Sequence, residues 1–476
     1  MLFNSFDFLV FFLFVVGTYF ALPHRFRWFL LLVASYFFYG YWEPGYLLII
    51  LFSTIIDFFL GRAIHFSTVK SRKRIFLYLS LLSNLSILFF FKYFNFFLEN
   101  VTPIVHAVNP DYKFKMLEIL LPVGISFYTF QTLSYSIDIY NGKIKQPEKK
   151  FGVFALFVSF FPQLVAGPIE RASNLLPQFH KQVRFDFNRI QSGITLMLWG
   201  LFKKIVIADR LALIVNEIYN NPTEYHGYTL VIGTLFFAVQ IYCDFSGYSD
   251  IAIGIARVLG FDFMKNFRTP YFSKSIGEFW NRWHISLSTW FRDYLYIPLG
   301  GNRVIKWRWY YNLFITFLIS GLWHGAEWTF VIWGAFHGAL LILETLVKFE
   351  KKTHLIRILL NFKTFFLVCV GWVFFRANSL EDASYIFREL FNFNNYSLDQ
   401  LSFYVIPVAK NTVFSVDFFL AYLGILILMI LEYLFLEKYK FFKLPYVLRT
   451  TMYVSVIVLI LVIGAFGKNE FIYFQF

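Results

Sequence analysis

Three observations predict an all-α polytopic integral membrane protein. The 476-residue chain is 58% hydrophobic and only 15% charged, against about 25% charged in soluble domains. Apolar runs recur from one end to the other, each near the roughly 20 residues that a spanning helix needs. Basic loops alternate with acidic or neutral ones, as inner and outer loops do in membranes. The whole of 1–476 therefore reads as one membrane domain in four stretches, 1–140, 141–308, 309–346 and 347–476.

The first span, 6–22, lacks the basic flank of a signal peptide and reads as retained. Spans at 28–42, 46–60 and 75–95 follow, the second of them short. Arg25 and Arg27 fill the first loop and only Glu43 the second. Arg62, Lys70, Arg72, Lys73 and Arg74 fill the third. This alternation places the N-terminus outside. A span at 119–140 leads into "NGKIKQPEKK", four lysines against Glu148 and hence inside. The next run, "FGVFALFVSFFPQLVAG", is short and broken by Pro162. It reads as re-entrant, because such backbone is tolerated at depth only when buried in protein or lining a cavity.

Spans at 190–207 and 228–246 bracket a loop, 208–227, with Asp209, Glu217 and Glu224 against Arg210. That loop reads as outside, and Lys203 and Lys204 just before it fit poorly. Residues 255–308 hold nine Lys or Arg against three acids, a strongly cytoplasmic balance. Spans at 309–326, 327–346 and 355–376 lead to an acidic outer segment, 377–417. Two more, 418–436 and 451–467, leave the C-terminus outside. The expectation is about 10–12 transmembrane helices, with re-entrant and interfacial helices beside them.

Several classes are excluded or disfavoured. A net charge of +14 would suggest nucleic acid in a soluble protein. Here it is explained by inner loops, and no nucleic acid is expected. Cys243 and Cys369 both lie in apolar sequence, so neither a disulfide framework nor a zinc cluster is indicated, and no metal site is expected. The 67 Phe read as lipid-facing filler. No G-x-S-x-G elbow, P-loop or dinucleotide fingerprint occurs.

Four stretches carry polar residues where an apolar span would not. In "GLWHGAEWTFVIWGAFHGALLILE", His324 and His337 are costly in hydrocarbon and should face a polar interior. On one continuous helix they would point to nearly opposite sides, roughly 20 Å apart along the axis, and could share neither metal nor proton. His324 is flanked by Gly321 and Gly325, which either admit a substrate close to the backbone or pack helices tightly. In "SIGEFWNRWHISLSTWFRDYLYIPLGGNR", Glu278 and Arg282 have helix ion-pair spacing. Its Trp-rich, basic character suits a helix lying in the cytoplasmic interface, with His284 on it. In "QIYCDFSGYSDIAIGIA", Asp244 and Asp250 serve either close helix contact or the site. In "LVAGPIERASN", a turn at Gly167-Pro168 precedes Glu170 and Arg171, which could pair.

Together with "GISFYTFQTLSYSIDIY" and "FFPQLVAGPIER", these ordered motifs resemble the membrane-bound O-acyltransferase (MBOAT) family. The likeness covers most of the chain and is nearest to the bacterial branch serving alginate O-acetylation and teichoic-acid D-alanylation. The resemblance implies a helical ring around a thin centre, where donor and acceptor approach from opposite faces. It matches the near-invariant family histidine to His324 in "LWHG" and the second recurrent polar residue to His284 in "RWHISLS". Arg282, Arg292, Asp293, Trp323 and Asp244 become candidates for contacting substrate or donor. For the two arginines, anchoring at the interface is the competing role.

The same likeness implies a multi-pass protein of the cell inner membrane, in contact with lipid. Its acyl donor would be cytoplasmic acetyl-CoA, with no bound cofactor. Its partners would be a separate extracytoplasmic acetyltransferase and the polysaccharide-synthesis machinery. Imidazole, with an ordinary pKa of about 6.5, can serve as base or as acyl carrier at neutral pH, and either role stays open for His324. Two alternatives remain at this level: transfer of D-alanine or another acyl group to an envelope polymer, and a transporter or flippase without chemistry.

Overall fold

Some helices begin at a side-chain cap. The Ser5 hydroxyl accepts from Phe8 N at the start of α1 (Phe6–Ala21). Helices α2 (His24–Gly40), α3 (Tyr46–Phe66) and α4 (Lys70–Leu88) follow. A π-helical turn, Phe89–Tyr93, joins α4 to α5 (Phe94–Val108), so the expected span 75–95 is the middle of one longer helix. Then come α6 (Ile125–Tyr140), α7 (Phe151–Ser159), α8 (Phe161–Leu164), α9 (Ala172–Phe179) and α10 (Phe187–Leu201). The π-helical stretch Phe202–Ala208 leads into α11 (Asp209–Asn220), and α12 (Gly227–Leu259) is the longest single α-helix.

After it lie the short α13 (Ile276–Trp280) and α14 (Ile285–Phe291), then a π-helical turn, Arg292–Tyr296. The remaining helices are α15 (Lys306–His324), α16 (Trp328–Leu346), α17 (His354–Arg376), α18 (Leu380–Leu390), α19 (Thr412–Leu431) and α20 (Tyr446–Ile463). This computed structural model describes all residues except 113, 118–120, 166, 348–352, 397–411, 433–444, 466–470 and 473–476. The ends of the expected spans 119–140, 418–436 and 451–467, and much of 377–417, therefore lie outside the described residues. No strand occurs among the described ones.

Among the described residues, five helices are long and apolar enough to cross a membrane: 46–66, 70–108, 227–259, 328–346 and 354–376. Two shorter apolar helical stretches, 6–21 and 151–164, fall below that length. Some other expected spans, α6 among them, are helices that bury polar residues. On α6, Gln131, Thr132, Ser134, Ser136 and Asp138 are all buried. Phenylalanine is not simply filler. Phe6, Phe14 and Phe59 are exposed, whereas Phe38, Phe154, Phe157 and Phe245 are fully buried.

The chain divides into two units. The first comprises 1–194, 252–265 and 292–294. Within it α3, α4 and α6 pack around a buried polar cluster. The Ser80 hydroxyl lies 2.5 Å from Asp57 Oδ1, and Asn84 Nδ2 donates to Asp57 Oδ2 at 2.8 Å. The pair α7–α8, broken at Phe160 with Pro162 in the first turn of α8, is buried throughout 153–165. Its broken backbone is satisfied by protein, with Phe161 N donating to Ser35 Oγ at 3.1 Å and Gln163 Nε2 to Phe157 O at 2.6 Å. This is the condition under which a re-entrant segment is tolerated.

The second unit comprises 195–251, 266–291 and 295–476. Its 202–208 turn packs on α11, α19 and α20. What reads as an outer loop, 208–227, is mostly the amphipathic α11, whose Leu211, Ile214, Val215 and Ile218 are buried. The poor fit of Lys203 and Lys204 also resolves, since neither is a loop charge. Lys203 Nζ lies 2.6 Å from Asp250 and 2.9 Å from Ser246 Oγ. Lys204 Nζ lies 2.8 Å from Asp209 and 2.5 Å from Asp244. Buried charges persist when paired in this way.

Candidate active site

In the second unit α15 and α16 pack closely, and glycine makes it possible. A Cβ on Gly321 would meet Gly334 Cα at 3.0 Å, and one on Gly334 would meet Gly321 Cα at 3.1 Å. A Cβ on Gly325 would run into the Phe330 ring. Both glycines flanking His324 therefore serve packing, which leaves the substrate-approach reading without support. The chain breaks after His324, and Gly325–Glu327 form the turn into α16. The continuous helix that would have set the two histidines on opposite sides does not exist. Instead His324 and His337 both lie edge-on to the Trp333 indole, each with ring centroids 5.0 Å away.

His324 is buried and also meets Phe375 of α17 at 5.4 Å. His337 is buried against Trp280 at 5.1 Å, and Gly371 of α17 lies beside its ring. Trp280 Nε1, Trp333 Nε1 and His337 Nδ1 make no hydrogen bond among the described residues. Three buried polar nitrogens thus belong to one aromatic cluster.

His284 joins this cluster from a different direction. Glu344, near the end of α16, accepts from Ile276 N and Gly277 N at 2.6 and 3.1 Å and so anchors the first turn of α13. Ser275 caps the same turn through Glu278 N at 3.0 Å. The expected interfacial helix is in fact two short helices. Between them His284 takes φ +42°, in the left-handed region that residues other than glycine occupy uncommonly, Asn, Asp and His more often than the rest. The aromatic residues Trp280, Trp283, Trp290 and Phe291 are buried rather than spread along a lipid interface. Trp283 packs against Trp372 at 5.0 Å, and Trp372 lies parallel to Trp333 at 6.3 Å. Phe245 of α12 covers the His284 ring edge-on at 4.5 Å. Burial, and after it the neighbouring His324, holds His284 well below the usual histidine range.

The other candidates are placed as follows. Arg282 NH2 pairs with Glu278 at 2.9 Å, as the spacing predicts, and its NH1 donates to Thr269 Oγ1 at 3.3 Å. Trp323 is partly exposed beside His324. Asp244 is buried and committed to Lys204 on one oxygen and to Ile472 N at 2.7 Å on the other, which favours its packing role. Arg292 and Asp293 belong to the first unit. Exposed Arg292 pairs with its own neighbour Asp293 at 2.9 Å. Arg171 does not pair with Glu170, the partner the sequence offered. It lies 3.6 Å from Asp293 and stacks at 4.7 Å over Tyr294, while Glu170 accepts from Asn174 Nδ2 and Met264 N.

Residues that the sequence left unremarked complete the site: Trp333, Trp372 and Phe375 as its walls, and Asn266 beneath His284. The aromatics sit in apolar runs indistinguishable from ordinary spans. Asn266, in "MKNFRTP", reads as one more loop residue.

Comparisons with known proteins fit this arrangement. Residues 150–379 match the membrane-bound O-acyltransferase family, a stretch that includes both His284 and His324. The chain is 42% identical over 406 residues to the "Probable alginate O-acetylase AlgI" of Pseudomonas aeruginosa, covering 84% of this chain and 77% of that one. It is 39% identical over 400 residues to the "Peptidoglycan O-acetyltransferase" of Helicobacter pylori, covering 78% and 75%. It is 28% identical over 307 residues to the "Teichoic acid D-alanyltransferase" of Bacillus subtilis, covering 59% and 74%. With matches of this extent running through the helices that wall the two histidines, the chain belongs to the membrane-bound O-acyltransferase family.

Proposed function

We propose that this O-acyltransferase moves acetyl from cytoplasmic acetyl-CoA towards hydroxyls of an extracytoplasmic polysaccharide, working in the cell inner membrane with a separate acetyltransferase and the polysaccharide-synthesis machinery. The observation that carries the reading is the burial of both His284 and His324 among aromatic rings, Phe245 against the first and Trp333 and Phe375 against the second. Membership of the acyltransferase family leaves a transporter without chemistry unsupported. The relatives named for O-acetyl transfer match at 38–42% identity and the D-alanyl relatives at 28–30%, which favours acetyl.

In the reaction a histidine nitrogen takes the proton from an attacking hydroxyl. The oxygen bonds to the thioester carbonyl carbon, the C–S bond breaks, and the thiolate leaves and takes up the proton. Ester and free thiol are the products. His324 is assigned the base, or the transient acyl carrier, and His284 the donor side. The indole N–H groups of Trp280 and Trp333 would be donors for a carbonyl oxygen gaining charge. Mild alkaline hydrolysis of envelope polymer from a deletion strain, with and without the restored gene, tests the reading. Acetate restored with the gene is the expected result. D-alanine in its place would replace the acetyl reading with the aminoacyl one.

A further inference from the structure

We propose that Asn266 is a positioning residue for acyl transfer, holding His284 in the tautomer with hydrogen on Nδ1 and the lone pair on Nε2. The proposal rests on the reading of His284 as part of the site. The backbone N–H of Ser286 can only donate. It points at Asn266 Oδ1 from 3.2 Å, which fixes that atom as the carboxamide oxygen. The opposite face of the amide agrees, because Asn266 Nδ2 donates to Ser249 Oγ on α12 at 3.0 Å.

The same Oδ1 lies 3.1 Å from His284 Nδ1 and 2.9 Å from Ser286 Oγ. Ser286 Oγ is farther from Nδ1, at 3.4 Å, so its hydrogen goes to the nearer oxygen. An unprotonated Nδ1 would then set a lone pair against a carbonyl lone pair. Hydrogen on Nδ1 removes the clash, and in a neutral imidazole the lone pair then sits on Nε2.

The backbone holds the two segments in register. Ile285 N donates to Asn266 O and Arg268 N to Arg282 O, both at 2.9 Å. The left-handed His284 thus sits in a turn clamped on both sides, with Asn266 wholly buried beneath it. A strained, over-determined conformation of this kind is characteristic of functional sites. It also explains why the residue is asparagine. Leucine fills the volume but accepts nothing, while aspartate offers an oxygen to the same three donors.

The test has two arms. Solution ¹⁵N spectra of the purified, ¹⁵N-histidine-labelled full chain in detergent micelles report the tautomer directly. His284 is expected as Nδ1–H in the wild type, and as a mixture in Asn266→Leu. Polymer-bound acetate per unit of inserted protein should fall about 10–100-fold in Asn266→Leu, the scale of losing the hydrogen-bond partner that orients a metal-bound imidazole. Asn266→Asp should retain most of it. An Nε2–H signal for wild-type His284, wild-type acetate from Asn266→Leu, or equal losses in the Asp and Leu variants at equal insertion would each overturn the proposal. The spectrum stands even if a variant fails to fold. His284→Asn, which the left-handed backbone accepts, isolates the underlying reading: wild-type acetate from that variant would remove His284 from the site whatever Asn266 does.

Discussion

Replacing Gly334 by alanine should disable the enzyme without unfolding it. The new Cβ would stand 3.1 Å from both Cα and N of Gly321, and nearer still to Phe317 O. Carbon atoms rest at about 3.5–4.0 Å, so α15 and α16 must part by roughly 0.5–1 Å. All three atoms met are backbone, and no rotamer change can absorb the shift. Overpacking of this kind costs about 1–3 kcal/mol, which a large helical protein survives. The site is less tolerant. His324 lies one turn beyond Gly321, while Trp333 precedes Gly334 on the other helix, so the separation falls directly between imidazole and indole. Productive geometry holds within about 0.5 Å, and a misplacement near 1 Å costs about 10²-fold in rate. The assay is acetate released from envelope polymer, divided by membrane-inserted protein measured by immunoblot. Gly17→Ala on α1, whose Cβ would meet nothing within 4 Å, is the control and should match wild type. Wild-type turnover by Gly334→Ala at wild-type abundance would refute the reasoning.

His324→Ala should lose about 10²–10⁴-fold or more in acetylation at normal insertion. His337→Ala should keep substantial turnover but melt earlier in detergent, because the hole left between Trp280 and Trp333 costs about 2–5 kcal/mol; the reverse pattern would exchange their roles. The depressed pKa of His284 makes stability flat above the unfolded value of about 6.5. Below that pH the unfolded chain takes up a proton that folded His284 refuses, so stability should fall with pH until the folded pKa is passed. His284→Asn should flatten that part of the melting profile, and an unchanged profile would assign it to another group. In a variant lacking Cys243 and Cys369, a cysteine within 61–74 should resist impermeant maleimide in intact cells, and labelling there would reverse the orientation read from loop charge.

Helix positions were legible because hydrophobic period and length carry them. The expected spans 6–22, 327–346 and 355–376 each differ by a residue or so from α1, α16 and α17. Glu278–Arg282 was legible for the same local reason. Pairings across long separations were not. Lys204 with Asp244, or Asn266 with His284, are written nowhere in the sequence around either partner. Loop charge misled at Asp209, which counts as an outer acid by position yet is buried against Lys204. The break at Gly325–Glu327 falls where the expected spans 309–326 and 327–346 meet, but nothing in the sequence shows that Trp333 lies between two histidines. The left-handed backbone at His284 lacked the glycine or asparagine that usually announces it.

The lysine–aspartate pairs between the 202–208 turn and α12 also bear on how the chain enters the membrane during synthesis. A lone charge at the centre of an inserting helix costs about 2.5–3.5 kcal/mol. Lys203 comes first in the chain and its partner Asp250 emerges only with α12, while Lys204 has Asp209 close in sequence but meets its second partner, Asp244, only then. The segment 187–208 is therefore poorly suited to enter lipid by itself, and should wait at the insertion machinery until its acidic partner arrives. The two would then partition together, with Gly200 closing on Gly247. A chain ending at residue 226 isolates the waiting form. A cysteine in place of Leu196 should be open to water-soluble maleimide in that truncation and shielded in a full-length chain lacking Cys243 and Cys369. Equal shielding in both would mean that the lysines cross unaided.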